Sequence, residues 1–239
     1  MKICVIGTGY VGLVTGALFS DRGNRVICVD KKQEVVDLLN SGKIHIFEPG
    51  LQNIVKRNKG KTLFFTTNTK KAVSESDLIF LAVGTPSEED GSFNLKYLKA
   101  AAKEVGQALN KCIGFKVVIC KSTVPQGSYK VLSKEINKQI NNSKLKWAYV
   151  SNPETLAEGT AVRDFAKPDR IIIGTNSDKA FKLMEELYHP FVLKRDRILR
   201  GSPVDAELAK LYSNTALATR ISMVNEFARV ADNTEQADM

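Results

Sequence analysis

The sequence has few features that would tie it to a metal, a disulfide or a membrane. Its four cysteines, Cys4, Cys28, Cys112 and Cys120, have no metal-ligand spacing, so no metal is expected. Three of them lie in apolar runs and read as buried, reduced thiols, which suits a cytoplasmic protein. There is no run of about 18 apolar residues, which excludes a transmembrane helix. Met1 leads straight into a strand-like run, so no signal peptide is expected. No basic stretch is interleaved with aromatic residues, although the formal net charge is +9. Lysines such as Lys56, Lys59, Lys99, Lys103 and Lys134 are scattered and read as solvated surface, not as a nucleic-acid site. No repeat or low-complexity tract occurs, and neither proline nor glycine follows Pro203.

What the 239 residues do contain is a regular alternation of strands and helices. Apolar runs near 2–7, 25–30, 62–67, 77–84, 116–122 and 146–151 are almost continuously hydrophobic. That pattern belongs to parallel strands covered on both faces. Helix-like segments at 11–22, 33–41, 50–58, 95–110 and 127–142 separate them. The alternation predicts an α/β fold: a doubly wound, Rossmann-like, mostly parallel sheet. Two further strands are expected at 170–174 and 197–200, with a helix at about 178–189 between them. From 204 to about 232 the chain reads as one long helix. The expected division is a dinucleotide-binding domain over 1–203 and a long helix opening at 204–239.

Gly7, Gly9 and Gly12 form G-x-G-x-x-G between a strand and a helix. The first glycine makes the tight turn, the second admits a pyrophosphate, and the third lets helix and strand pack closely. The helix N-terminus offers free N–H groups to the phosphates. Asp30 ends the second strand, where a carboxylate can accept from a ribose 2′-hydroxyl and would repel a 2′-phosphate. NAD is therefore the expected cofactor.

Three further motifs each follow a strand: "VGTPS" (83–87), "KSTVPQG" (121–127) and "SNPETLAEG" (151–159). All three would lie at the carboxyl edge of the sheet, where such folds bind ligands. Each taken alone could be an ordinary strand-to-helix turn with a capping hydroxyl. On the tail, Lys210 and Asn214 are four residues apart and share a helix face. An ammonium and an amide there could hold a hydroxyl that is losing its proton, although a lone K-x-x-x-N is more often surface polarity.

With "GTGYVGL", "FEPGL", "GTP", "DFAKPDRIIIG" and "GSPVDAELAKLYSNTALATRISMVNE" added in order, the chain resembles the UDP-glucose 6-dehydrogenases from Met1 to Met239. The resemblance implies oxidation of the C6 alcohol of UDP-glucose to a carboxylate, with two NAD⁺ reduced. It places Gly7, Gly9, Tyr10, Val11 and Gly12 on the NAD pyrophosphate, and Asp30 on the adenosine ribose. It places Thr85, Ser122, Thr123 and Glu158 by the nicotinamide. It makes Thr123, Glu154, Lys210 and Asn214 catalytic: Thr123 helps hold a water, Glu154 serves acid/base chemistry on a thioester, and Lys210 and Asn214 stabilise the C6 oxyanion. Glu154, Thr155, Leu156 and Ala157 would also touch substrate. The implied partners are a UDP-sugar and, at full length, a second copy in a homodimer.

The sequence departs from the family in two places. Val35 stands where the family often carries Lys or Arg five residues after the ribose acid. Thr155 replaces the aromatic of the usual N-P-E-F-L. The family also traps its aldehyde on a cysteine beyond the long helix, and this sequence has no cysteine after Cys120. The expectation is an N-terminal portion lacking the UDP-binding domain and the nucleophile. Another nucleotide-sugar dehydrogenase, acting on GDP-mannose or a UDP-N-acetylhexosamine, and a non-catalytic NAD-binding fragment remain alternatives.

Overall fold

Each apolar run becomes a strand because its side chains are covered on both faces. The computed structural model describes residues 1–192 and 197–234. The strands are β1 (Lys2–Ile6), β2 (Arg25–Val29), β3 (Leu63–Thr66), β4 (Leu78–Leu81), β5 (Gly114–Cys120), β6 (Leu145–Ser151), β7 (Ile171–Gly174) and β8 (Ile198–Gly201). They form one sheet in the order β3-β2-β1-β4-β5-β6-β7-β8. Pairing is parallel throughout except between β6 and β7, which meet antiparallel at Ser151 and Gly174.

The helices are α1 (Tyr10–Asp21), α2 (Gln33–Asn40), α3 (Leu51–Asn58), α4 (Thr69–Ser74), α5 (Lys96–Leu109), α6 (Ser128–Asn137), α7 (Ala161–Ala166), α8 (Asp178–Tyr188) and α9 (Pro203–Asp232). A short 3-10 helix spans His189–Phe191. One face of the sheet packs on α1, α2, α3, α7 and α8, with Phe19 buried at its centre. The Phe19 ring meets those of Phe80, Phe165, Tyr188 and Phe191, with centroids 5.2–5.9 Å apart. Such tilted and edge-on contacts suit aromatic quadrupoles. The other face carries α4, α5 and α6, with Leu98, Val105, Leu132 and Ile136 buried against β4 and β5.

Some boundaries differ from the sequence expectation. The helix expected over 127–142 ends at Asn137. Beyond it the chain turns back onto the end of α5, where Asn142 Nδ2 donates to the carbonyls of Asn110 and Cys112 at 3.0 and 2.7 Å. The strand expected over 77–84 ends at Leu81, since Val83 turns away and its carbonyl accepts from Ser122 Oγ. α4 and α7 fall in segments read as connections, because six residues are too few to show a helical period. Asn68 caps α4 by accepting from Lys71 N at 3.0 Å. The long tail helix is present, opened by a capping box between Ser202 and Asp205. Residues 235–239 of the segment expected at 204–239 lie outside the described residues.

Candidate functional site

The carboxyl ends of β1, β2 and β4 open onto a groove of about 700 Å3 lined by Gly7, Gly9, Asp30, His45, Val83 and Tyr97 among others. Its size fits a small-molecule or cofactor site. Gly7 has φ +96°, and a Cβ there would meet the Ala82 carbonyl at 2.5 Å, so only glycine fits. A Cβ on Gly12 would run into the Gly7 carbonyl, because helix and strand are in close contact. Gly9 is different: a Cβ would meet nothing within 4 Å. Packing therefore does not demand glycine at this position, and the open space beside it can admit a ligand. The first bond of α1 runs from Leu13 N to Gly9 O, at 2.9 Å. The N–H groups of Tyr10, Val11 and Gly12 are left without intrahelical partners at the positive end of the helix. A dinucleotide pyrophosphate fits this arrangement.

Asp30 forms the other end of the groove. Thr8 donates to its Oδ2 twice, from Oγ1 at 2.6 Å and from N at 3.2 Å, and Lys32 N donates to Oδ1 at 3.0 Å. Partial burial pushes the carboxyl pKa up, but these bonds outweigh it and hold the group below the ordinary range. Asp30 is thus an ionised acceptor with its orientation fixed.

Glu48, from "FEPGL", is buried behind the turn. It accepts from the Tyr10 hydroxyl, from Gly159 N at 2.9 Å and from Val162 N at 3.2 Å. Gly159 N also donates to the Tyr10 hydroxyl at 2.8 Å. One carboxylate therefore ties the start of α1 to the loop after β6. Burial, then the bond to Glu48, pushes the Tyr10 phenol up. The Glu158 charge acts in the same direction; Glu158 is exposed and directly precedes Gly159, whose N–H donates to that hydroxyl.

A second group of side chains gathers at the ends of β4, β5 and β6. Thr85 Oγ1 donates to the Thr123 carbonyl at 2.7 Å, and Ser122 Oγ to the Val83 carbonyl at 2.6 Å. These two hydroxyls bind the "GTP" turn to the "KST" turn. The Thr123 hydroxyl makes no hydrogen bond among the described residues. It lines a small pocket of about 10 Å3 with Cys120, Glu207 and Lys210. Lys210 Nζ pairs with Glu154 Oε1 at 2.9 Å, and both side chains are nearly buried. Asn214 is exposed, one turn beyond Lys210, where α9 leaves the domain surface. Thr155 and Ala157 are exposed and Leu156 is half-buried, on the loop that carries Glu154.

Three buried polar residues in this region were not singled out from the sequence. Lys121 Nζ is buried and reaches only neutral oxygens: Asn152 O at 3.5 Å, Asn152 Oδ1 at 3.4 Å and the Tyr188 hydroxyl at 3.4 Å. Burial pushes its pKa down to about 8; the Glu154 charge raises it and the Lys210 charge lowers it further. Asn152 is held in turn by the Tyr188 hydroxyl at 2.6 Å and by the Ile172 carbonyl at 2.8 Å. Glu207, on α9, accepts from Gly127 N at 2.7 Å and Tyr129 N at 2.8 Å at the start of α6. Burial pushes this carboxyl up, and the backbone N–H groups offset part of the shift. Both Lys121 and Glu207 sit inside quoted motifs, but nothing in the motifs marks them as buried.

Among the described residues, no cluster of three or more His, Cys, Asp or Glu side chains could hold a metal ion. Nor is any helix long and apolar enough to cross a membrane. All four cysteines are buried. Burial pushes the Cys120 thiol up to about 12, so it is not a thiolate at neutral pH.

Comparison with known protein families covers nearly the whole chain. The profile of the UDP-glucose/GDP-mannose dehydrogenase family, NAD binding domain, matches residues 1–192, and that of the central domain of the same family matches 204–239. The chain belongs to the UDP-glucose/GDP-mannose dehydrogenase family. NAD is the cofactor of this family's N-terminal domain. UDP-glucose 6-dehydrogenase TuaD of Bacillus subtilis is 41% identical over 232 residues, which covers 97% of this chain and 49% of the relative. GDP-mannose dehydrogenase from Pseudomonas aeruginosa superposes with a TM-score of 0.91 at 33% identity, over 97% of this chain and 53% of that one. A UDP-glucose dehydrogenase from Pyrobaculum islandicum gives 0.90 at 37% identity, over 96% and 52%. The chain spans about half the length of the curated relatives it matches.

Proposed function

We propose that this chain is the NAD-binding part of an enzyme that oxidises UDP-glucose to UDP-glucuronate. The observation that carries the reading is the Lys210–Glu154 pair, nearly buried beside Thr123 at the carboxyl edge of the sheet. In this reading Gly7, Gly9, Tyr10, Val11 and Gly12 hold the NAD pyrophosphate and Asp30 holds the adenosine ribose. Thr85, Ser122, Thr123 and Glu158 lie on the nicotinamide side. Bound NAD⁺ supplies a hydride acceptor.

The rest of the chemistry falls to the chain. As the C6 hydroxyl proton passes to water in the site, the Lys210 ammonium donates to that oxygen and stabilises its growing negative charge. Glu154 keeps that ammonium in place and, in an enzyme that also carries the family's cysteine beyond the long helix, would act as a base, taking a proton from the water that adds to the thioester carbonyl while the cysteine sulfur leaves. Thr123 offers an unengaged hydroxyl to the same water. Thr155, Leu156 and Ala157 form the substrate-facing loop, and Asn214 reaches the reacting oxygen when substrate is bound. The four cysteines are buried, so none of them traps an aldehyde. UDP-glucose is preferred over other sugars because several relatives at about 40% identity carry that name. The neighbour named for GDP-mannose supports oxidation of GDP-mannose as the second reading. A soluble homodimer in the cytoplasm is the assembly we assign to the full-length enzyme.

NADH formation from UDP-glucose, GDP-mannose and a UDP-N-acetylhexosamine tests the proposal. It should be measured with these 239 residues and with a chain that continues to the length of its relatives. The 239 residues alone should bind NAD and make no UDP-glucuronate. The longer chain should turn over UDP-glucose fastest, and Lys210→Ala should slow it about 10²-fold or more. Near-normal turnover in Lys210→Ala, or a clear preference for another sugar, would overturn the reading.

A further inference from the structure

Two adjacent lysines edge the groove directly after Asp30. A free ammonium at that point would attract the ribose 2′-phosphate that Asp30 opposes. The structure places the two lysines differently. Lys32 presents its backbone N–H to Asp30 Oδ1 at 3.0 Å. Lys31 sends its Nζ over the ring of Tyr97, 4.8 Å from the centroid. Among the described residues, neither forms an ion pair with Asp30.

Tyr97 is the second residue of α5 and lines the same groove as Asp30. Glu104, on the same helix, also lines it and accepts from Thr69 Oγ1 at 3.2 Å. His45 completes the set of titratable groups facing this part of the groove. A lysine has a long, flexible stem and could reach either the α5 wall or the carboxylate beside it. Attraction to the ring quadrupole selects the wall.

We propose that Tyr97 is a specificity-determining residue for the cofactor: its ring holds the Lys31 ammonium against α5 and leaves the Asp30 carboxylate un-neutralised toward the adenosine ribose. The inference rests on Asp30 facing that ribose and is independent of which sugar is oxidised.

The test is the ratio of NADPH to NADH dissociation constants, read by nucleotide fluorescence on the 239-residue chain. Tyr97→Leu releases Lys31 and should lower the ratio about two- to fivefold, the worth of an exposed cation–π contact. Tyr97→Phe keeps the ring and should leave the ratio unchanged. Tyr97→Leu combined with Lys31→Met should restore it. If the leucine variant does not fold, Tyr97→Gln carries the same expectation. An unchanged ratio on losing the ring, or a fall that persists without Lys31, overturns the proposal. Asp30→Ala separates the two possible failures. If it does not lower the ratio, the premise about Asp30 is wrong. If it does and Tyr97→Leu does not, only the role of Tyr97 is wrong.

Discussion

Gly9 has no side chain, and nothing within 4 Å would obstruct one. Its φ of −62° is open to any residue. Gly9→Ala should therefore fold normally, with a melting temperature within a few degrees of the parent. It should lose NAD affinity about tenfold or more by calorimetry, because the methyl occupies the approach of the pyrophosphate. Gly7→Ala should instead destabilise, since φ +96° strains any Cβ. Lys121 allows a test by pH. Its folded pKa of about 8 lies below the ordinary lysine value of 10.5, so the unfolded chain holds the proton more tightly. The cost of burying the charge is fully present below pH 8 and vanishes as pH rises through 10.5. Lys121→Met should be more stable than the parent at pH 7 by about 2 kcal/mol. That gap should close toward pH 10.5, as urea melts at several pH values would show. A gap that stays constant with pH would mean that the side chain is not buried as a charge.

At the scale of elements, Glu207 joins α9 to the start of α6. Its carboxylate takes two of the N–H groups that a helix start leaves unpaired, and it lies against the helix dipole. Glu207→Ala should cost about 2 kcal/mol, because Gly127 N and Tyr129 N lose their partner in a partly buried place. Urea denaturation reads this directly. Protection of the α6 amides from hydrogen exchange should fall with it. Glu48 acts similarly between α1 and α7: it connects residues 10, 159 and 162, which no local pattern relates.

At the scale of the molecule, α9 is docked only by its first turns. From Tyr212 onward it is exposed, and Leu217, Ile221, Val224 and Phe227 are each more than half exposed. Such an apolar face on a free helix favours association. The 239-residue chain should self-associate with rising concentration, as light scattering would show. Leu217→Ser with Ile221→Ser should return it to monomer without changing NAD affinity. A clean monomer at high concentration before mutation would count against this.

The glycine turn, the carboxylate that ends β2 and the near-continuous apolar strands were all legible in the sequence, because each depends on near neighbours. A tight turn needs glycine at fixed offsets, and a strand covered on both faces needs an unbroken apolar run. The order of motifs after successive strands likewise implied a shared sheet edge. The tertiary structure decided which polar groups are buried. Lys121 and Lys210 look alike as residues in quoted motifs, but one is enclosed by Asn152 and Tyr188 and the other is paired with Glu154. Helical spacing put Lys210 and Asn214 on one face, but only the point where α9 leaves the domain makes the first nearly buried and the second exposed. Burial depends on what packs from distant parts of the chain, and that packing is not encoded in any local spacing.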